Sequence, residues 1–277
     1  PIIQIGAACG STLGQWINMP VRQRNILIAA GAGAGIAATF NAPLGGIVFA
    51  IELMLVSVNA FNLTLVTLAT VIATIIGRLI DGVLPAFNVP SLAATNLHMI
   101  PWSTLLLFIP FGILIGLTSA IFIRAIYWTE DCFNQIANPY LRTIIGMTAL
   151  GLLLLVLQHQ FNHYYIDGVG YATILDILKG LLTDPAFLLL LACCKLAATS
   201  LTLGSGASGG VFSPSLFIGA TLGAAFGSAL NHLFPALGIH PVLFAIAGMA
   251  GMVGGTTGAV ITAIVMLFEQ TRDYQDI

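Results

Sequence analysis

From Leu196 to Phe268 the chain contains no Asp, Glu, Lys or Arg, a run of 73 residues without a formal charge. No soluble domain could cover its surface with such a stretch. The rest of the chain is nearly as poor in charge. Charged residues make up 6% of the 277 and hydrophobic ones 58%, where a soluble domain has roughly a quarter of its residues charged. Mean hydropathy is +1.02. The chain therefore reads as a polytopic protein of the lipid bilayer, in the inner or plasma membrane of the cell. Its eight Lys and Arg are scattered and form no basic stripe, which argues against nucleic acid as a partner. Cys9, Cys132, Cys193 and Cys194 have neither metal-ligand nor disulfide spacing and read as packing residues. Pro1 leads directly into an apolar helix pattern, so the chain reads as the interior of a longer protein.

The few charges divide the chain into apolar blocks of unequal length. Residues 62–80, 102–128 and 141–158 are long enough to span a bilayer, which takes about 20 residues. The blocks 1–17, 26–40, 43–57, 171–182, 186–203, 214–234, 241–254 and 257–270 are short or interrupted by Gly and Pro. Residues 98–101 and 134–139 read as loops. A mixture of full and partial helices is the pattern of transporters that bind their substrate at mid-membrane.

The sequence also repeats. "PIIQIGAACGSTLG" (1–14) aligns without a gap on "PSLFIGATLGAAFG" (214–227). "AGAGAGIAATFNAPLGGIVFAIE" (30–52) aligns on "AGMAGMVGGTTGAVITAIVMLFE" (247–269), with Glu52 and Glu269 in register. Two ordered matches indicate a duplication.

At the centre of the charge-free run stands "GSGASGGVFSPSLFIGA" (204–220). Pro214 marks a helix start, because proline's missing N–H costs nothing in the first turn. The first N–H groups of a helix have no intrahelical partner and sit at the positive end of its dipole. Glycines before them let the backbone approach closely and take positive φ. In a neutral apolar setting this arrangement suits a small anion. The plain alternative is a glycine-rich packing loop where helices cross. A nucleotide loop is disfavoured, since no Gly-Lys-Ser/Thr follows.

At these residues the sequence resembles the CLC family of voltage-gated chloride channels and chloride/proton antiporters. "GSGASGGVFSP" is similar to that family's G-x-F-x-P segment, "FNAPLGGIVFAIE" (40–52) to a second signature, and "PIIQIGA" to the continuation of its G-[KR]-E-G-P motif. The resemblance implies an all-α membrane fold of CLC-type inverted repeats, built from tilted, partly spanning helices. Residues 1–277 would be a partial CLC transmembrane domain, with the end of a first repeat in 1–80 and an incomplete second repeat in 101–277. It implies a homodimer in the lipid bilayer and a chloride bound at Gly210, Val211, Phe212, Ser213 and Pro214, held by the Val211 and Phe212 N–H groups. The ion needs no cofactor. The family's gating glutamate, N-terminal serine and late tyrosine fall outside these residues, and Tyr274 is not that tyrosine. The proton-route positions are Glu52 and Leu53, the latter standing where many family antiporters have Glu. That difference leaves a passive channel, slightly favoured, or an antiporter with an altered inner proton route.

Glu52 and Glu269, at equivalent places in the repeat, read as structural carboxylates that accept N–H bonds or pair with an Arg, with proton relay as the sharper alternative. His159 and His163 have the i, i+4 spacing of a metal pair but no third ligand, so no metal is expected. A membrane-embedded enzyme built on that pair, and an inverted-repeat transporter of another solute, are the competing functions. Lys195 is expected to snorkel to an interface, or otherwise to draw anions toward the pore.

Overall fold

The computed structural model describes residues 1–82, 102–235 and 239–271. The expected loop at 98–101 and Tyr274 lie outside the described residues. The chain divides into two compact units, one drawn from residues 1–88 and 259–277, the other from 89–258.

In the first unit, α1 (Ile2–Trp16) follows Pro1, and α2 (Val21–Phe40) starts after Pro20 and stops at Asn41, which adopts the left-handed conformation. α3 (Pro43–Phe49) has proline at its first position, where no N–H is needed. It runs on into a widened turn, Ala50–Met54, closed by the Leu55 N–H reaching the Ala50 carbonyl at 2.8 Å. α4 (Ala60–Asp81) is capped by the Asn59 side chain, which accepts from the Asn62 N–H at 2.8 Å. In the second unit come α5 (Trp102–Asn134), α6 (Pro139–Phe161), the short α7 (Tyr171–Leu178), α8 (Pro185–Gly204), α9 (Phe212–Leu233) and α10 (Pro241–Thr257). α11 (Val260–Thr271) returns to the first unit.

Among the described residues, five helices are long and apolar enough to cross a membrane: 60–80, 104–134, 139–161, 185–204 and 212–233. This corrects the expectation for 186–203 and 214–234, which form uninterrupted helices of 20 and 22 residues. The glycines of 214–234 are not breaks but places where two backbones meet. A Cβ at Gly219 would fall on the Gly248 carbonyl, one at Gly248 on the Gly219 carbonyl, and one at Gly223 on that of Phe244. The shorter apolar helices are Pro43–Met54, Pro241–Thr257 and Val260–Thr271.

The same lattice recurs between α1 and α2. A Cβ at Gly6 would strike the Gly31 carbonyl, one at Gly31 the Gly6 carbonyl, and one at Gly10 the Leu27 carbonyl. The glycines that coincide in the two sequence repeats thus do the same work twice, each pair inside its own unit. Small residues let helix axes approach, and packing contacts drive association where lipid supplies no hydrophobic difference. Around the α9–α10 pair lies an aromatic core. Phe111, Phe122, Phe244 and Met252 are buried together, with Phe108 stacked on Phe244 at 4.6 Å between ring centroids.

The two glutamates complete the repeat. Glu269 is 2% exposed, and its oxygens accept from the Leu44 N–H at 3.1 Å and the Gly45 N–H at 2.7 Å, in the first turn of α3. Glu52 does the converse. It accepts from the Ile261 N–H at 3.1 Å, the Thr262 N–H at 2.8 Å and the Thr262 hydroxyl at 2.7 Å, in the first turn of α11. Each carboxylate caps the positive end of the other's helix. This reciprocal exchange places α11, second-repeat by its sequence, in the first unit.

Candidate anion site

α8 ends where the glycine-rich stretch begins. Its last carbonyls are closed by the Ser205 N–H to Leu201 (3.1 Å) and the Ala207 N–H to Thr202 (3.1 Å). Gly206 takes φ +81°, a left-handed turn that a side chain would strain. Gly204 abuts Thr129 and the backbone of Glu130, leaving no space for a Cβ. The chain then runs to Val211, the cap of α9, with Phe212 its first residue. The helix thus starts two residues earlier than the proline indicated. Pro214 sits third, still within the turn where its N–H is dispensable.

The first turn is tightly held. The Val211 carbonyl accepts from the Ser215 N–H at 3.0 Å and the Ser215 hydroxyl at 2.8 Å, and Ser215 Oγ lies 2.9 Å from Thr256 Oγ1. The start of α9, Val211 to Pro214, is therefore fixed by α10. It directs the positive end of a 22-residue helix out of a run without formal charge.

A second element braces this turn. Gly170, in the left-handed conformation with φ +77°, caps α7, and a Cβ there would run into the Phe217 ring of α9. That close approach stands Tyr171 against the start of α9, where its hydroxyl hydrogen-bonds the Ser213 side chain. Burial pushes the Tyr171 phenol up to about 12, the bond to Ser213 pulling the other way, so the phenol keeps its proton at any working pH. The loop before α7 is tied down from α8. Lys195 Nζ donates to the Ile166 carbonyl at 2.8 Å and the Gly168 carbonyl at 2.7 Å, and lies 5.2 Å from the Phe217 ring centroid. Thr173 Oγ1 adds a bond to the Tyr165 carbonyl at 2.7 Å.

Lys195 is 3% exposed, so the expectation that it snorkels is wrong. Two carbonyls and an aromatic face replace its hydration shell, which makes burial tolerable. Tyr171 was not singled out from the sequence. Its one signal was the "GVGY" glycine pair, which reads as an ordinary turn without knowledge of the partner helix.

Gly210, Val211, Phe212, Ser213 and Pro214 are contiguous at the start of α9. Glu52 and Leu53 lie in the other compact unit, on the widened turn. Leu53 is 42% exposed. His159 and His163 do not share a helical face, because α6 ends at Phe161 and Asn162 turns left-handed. His163 Nδ1 accepts from the Tyr165 N–H at 3.0 Å. Among the described residues no three His, Cys, Asp or Glu gather as a metal site.

Comparison with known proteins agrees with this architecture. The family model described as "Voltage gated chloride channel" matches residues 1–277. A putative chloride channel protein ClcB-like of Ralstonia nicotianae is 31% identical over 283 residues, covering 99% of this chain and 62% of that protein. The H(+)/Cl(-) exchange transporter ClcA of Vibrio parahaemolyticus is 35% identical, covering 99% of this chain and 58% of the relative. The chain thus spans about three fifths of the length of these relatives. Among solved structures, a slow cyanobacterial Cl-/H+ antiporter superposes with a TM-score of 0.82 at 32% identity, over 98% of this chain and 62% of that one. A CLC-type fluoride/proton antiporter shares the fold, with a TM-score of 0.76 at 24% identity over 98% of this chain and 64% of its own. With its whole length matched by the family model, this membrane-embedded chain belongs to the voltage-gated chloride channel family.

Proposed function

We propose that the full-length protein carries chloride across the membrane as a homodimer, and that the ion rests on the Val211 and Phe212 N–H groups at the start of α9. The observation that carries this reading is the α9 turn itself. A helix N-terminus, approached by a glycine-rich loop and pinned by Ser215 and Thr256, opens out of a charge-free run. Partial charges of backbone N–H groups hold an anion without the strong attraction of an Arg or Lys, so it can leave again. Gly210, Ser213 and Pro214 shape the turn, chloride is the substrate, and no cofactor enters the step. Residues 1–80 and 101–277 form parts of two inverted repeats. The reading is further supported by relatives that are named as chloride channels or H(+)/Cl(-) exchangers.

Proton coupling turns on residues 52 and 53. Both Glu52 oxygens already serve as acceptors for the start of α11, so a proton placed there would compete with existing hydrogen bonds. Leu53 carries no titratable group. This favours passive conduction, or exchange whose protons enter by a route other than these two side chains. The test is the full-length protein in liposomes loaded with chloride. Chloride-selective efflux is expected, with a reversal potential that stays at the chloride equilibrium value when pH differs across the membrane. Absence of efflux would overturn the transport reading; a reproducible shift with pH would overturn the passive one.

A further inference from the structure

We propose that a cavity between the starts of α2 and α4 binds an anionic phospholipid, with the phosphate at Arg22 and an acyl chain along the apolar wall made by Ile26, Leu55 and Val56. The inference goes beyond the chloride reading and does not depend on it. The cavity has a volume of about 520 Å³ and lies wholly in the first unit. Small-molecule sites span roughly 300–1,000 Å³. Its place follows from how the two helices run. Ala30 shares a buried core cluster with Val66, a Cβ at Gly33 would meet the Thr70 methyl at 3.3 Å, and one at Gly77 would meet the Ala38 carbonyl at 3.2 Å. Partners advance together along both helices, so α2 and α4 run in the same direction and their N-terminal ends meet. α4 is long and apolar enough to cross the membrane. Its first turn, and the cavity with it, therefore lies at an edge of the bilayer, at the level of the headgroups.

Charge selects the headgroup. Arg22, Asn25 and Ser57 form part of the lining, and among the described lining residues none is acidic. Between residues 1 and 80 the sequence holds one acid, Glu52, whose oxygens accept from the start of α11. Arg24 is turned elsewhere, its side chain lying against Gly14 of α1. The first turn of α2 has no side-chain cap, so the positive end of a 20-residue helix adds to Arg22. The widened turn supplies the apolar wall. It ends at Met54 and passes Leu55 into extended backbone, which carries residues 55–57 along the cavity. Met54 and Leu55 pack on the Ala29, Ala30, Ala50 and Val66 core, while Val56 stays 90% exposed. An acyl chain would cover Val56; inorganic phosphate would leave it bare. A cation beside an apolar wall at a bilayer edge thus suits an anionic amphiphile that the membrane itself delivers.

The experiment is native mass spectrometry of the full-length protein in detergent, titrated with phosphatidylglycerol, phosphatidylcholine or inorganic phosphate, with thermal unfolding followed in parallel. The wild type is expected to hold phosphatidylglycerol more tightly than phosphatidylcholine and to unfold at a higher temperature with it bound. Arg22→Gln should weaken phosphatidylglycerol about three- to tenfold, the effect of one cation on an anionic lipid, and leave phosphatidylcholine within about twofold. Arg24→Gln removes the same charge outside the cavity and should cost clearly less. Val56→Asp sets a like charge beside the phosphate at an exposed position, so it should weaken phosphatidylglycerol and spare phosphatidylcholine even if Arg22→Gln does not fold. Wild-type affinity for phosphatidylglycerol in Arg22→Gln or in Val56→Asp would overturn the inference. So would equal losses in Arg22→Gln and Arg24→Gln, or a wild type that binds the two lipids alike. Inorganic phosphate that binds and stabilises as well as phosphatidylglycerol does, with the same dependence on Arg22, would make the occupant a free anion and overturn the lipid assignment.

Discussion

Glu269→Ala tests the reciprocal capping of the two repeats. The carboxylate is 2% exposed and accepts from Leu44 and Gly45 at 3.1 and 2.7 Å. Hydrogen bonds to a charged group contribute about 1.5–3 kcal/mol each, and part of that is offset by the desolvation of the buried carboxylate. Removing it also leaves two N–H groups of α3 in apolar surroundings, at about 1–3 kcal/mol apiece. Water reaching the gap and some relaxation of α3 recover part of this, so a net loss of about 2–4 kcal/mol is expected. For a chain of this size that lowers Tm by about 5–15 °C. Glu269→Gln keeps one acceptor oxygen and should fall between wild type and Ala. Glu52→Ala should cost about half as much, because Glu52 is only half-buried and water can take over its bonds. The assay is thermal unfolding of the full-length protein in detergent with all four proteins measured together. A Tm for Glu269→Ala within a degree or two of wild type, or a larger loss at Glu52, would refute the reasoning.

Gly248→Ala drives a methyl into the Gly219 carbonyl and Gly31→Ala drives one into the Gly6 carbonyl, so each should destabilise by about 1–3 kcal/mol or more, measured by the same unfolding assay. Gly112→Ala, with open space around it, should be neutral. Lys195→Met strips two carbonyls of their donor and should open the 164–170 loop, seen as faster proteolysis there than in Lys195→Arg, which can still donate.

The sequence showed the membrane class through its charge-free run and the duplication through glycines and glutamates in register. The packing explains why those residues recur. Gly6 and Gly31, like Gly219 and Gly248, sit where backbones touch, and Glu52 and Glu269 cap each other's helices. Glycine does not break the helix here. In water it costs helix stability, but between close-packed membrane helices the lost side chain permits the contact, so 214–234 was expected to be broken and is not. The anion turn was legible because glycine, proline and missing charge are local signals. The Tyr171–Ser213 bond was not, since it joins residues 42 positions apart through a helix approach that no local pattern encodes. Lys195 was misread for the same reason, as its acceptors are carbonyls, which every residue carries.

The most direct measurement is crystallographic. Crystals of the full-length protein grown in bromide, with data collected at the bromine absorption edge, would show where the anion rests. An anomalous peak within hydrogen-bonding reach of the Val211 and Phe212 N–H groups, lost in Val211→Pro crystals of the same form, is the predicted result. Strong bromide peaks elsewhere in the membrane domain with none at the start of α9 would contradict the account.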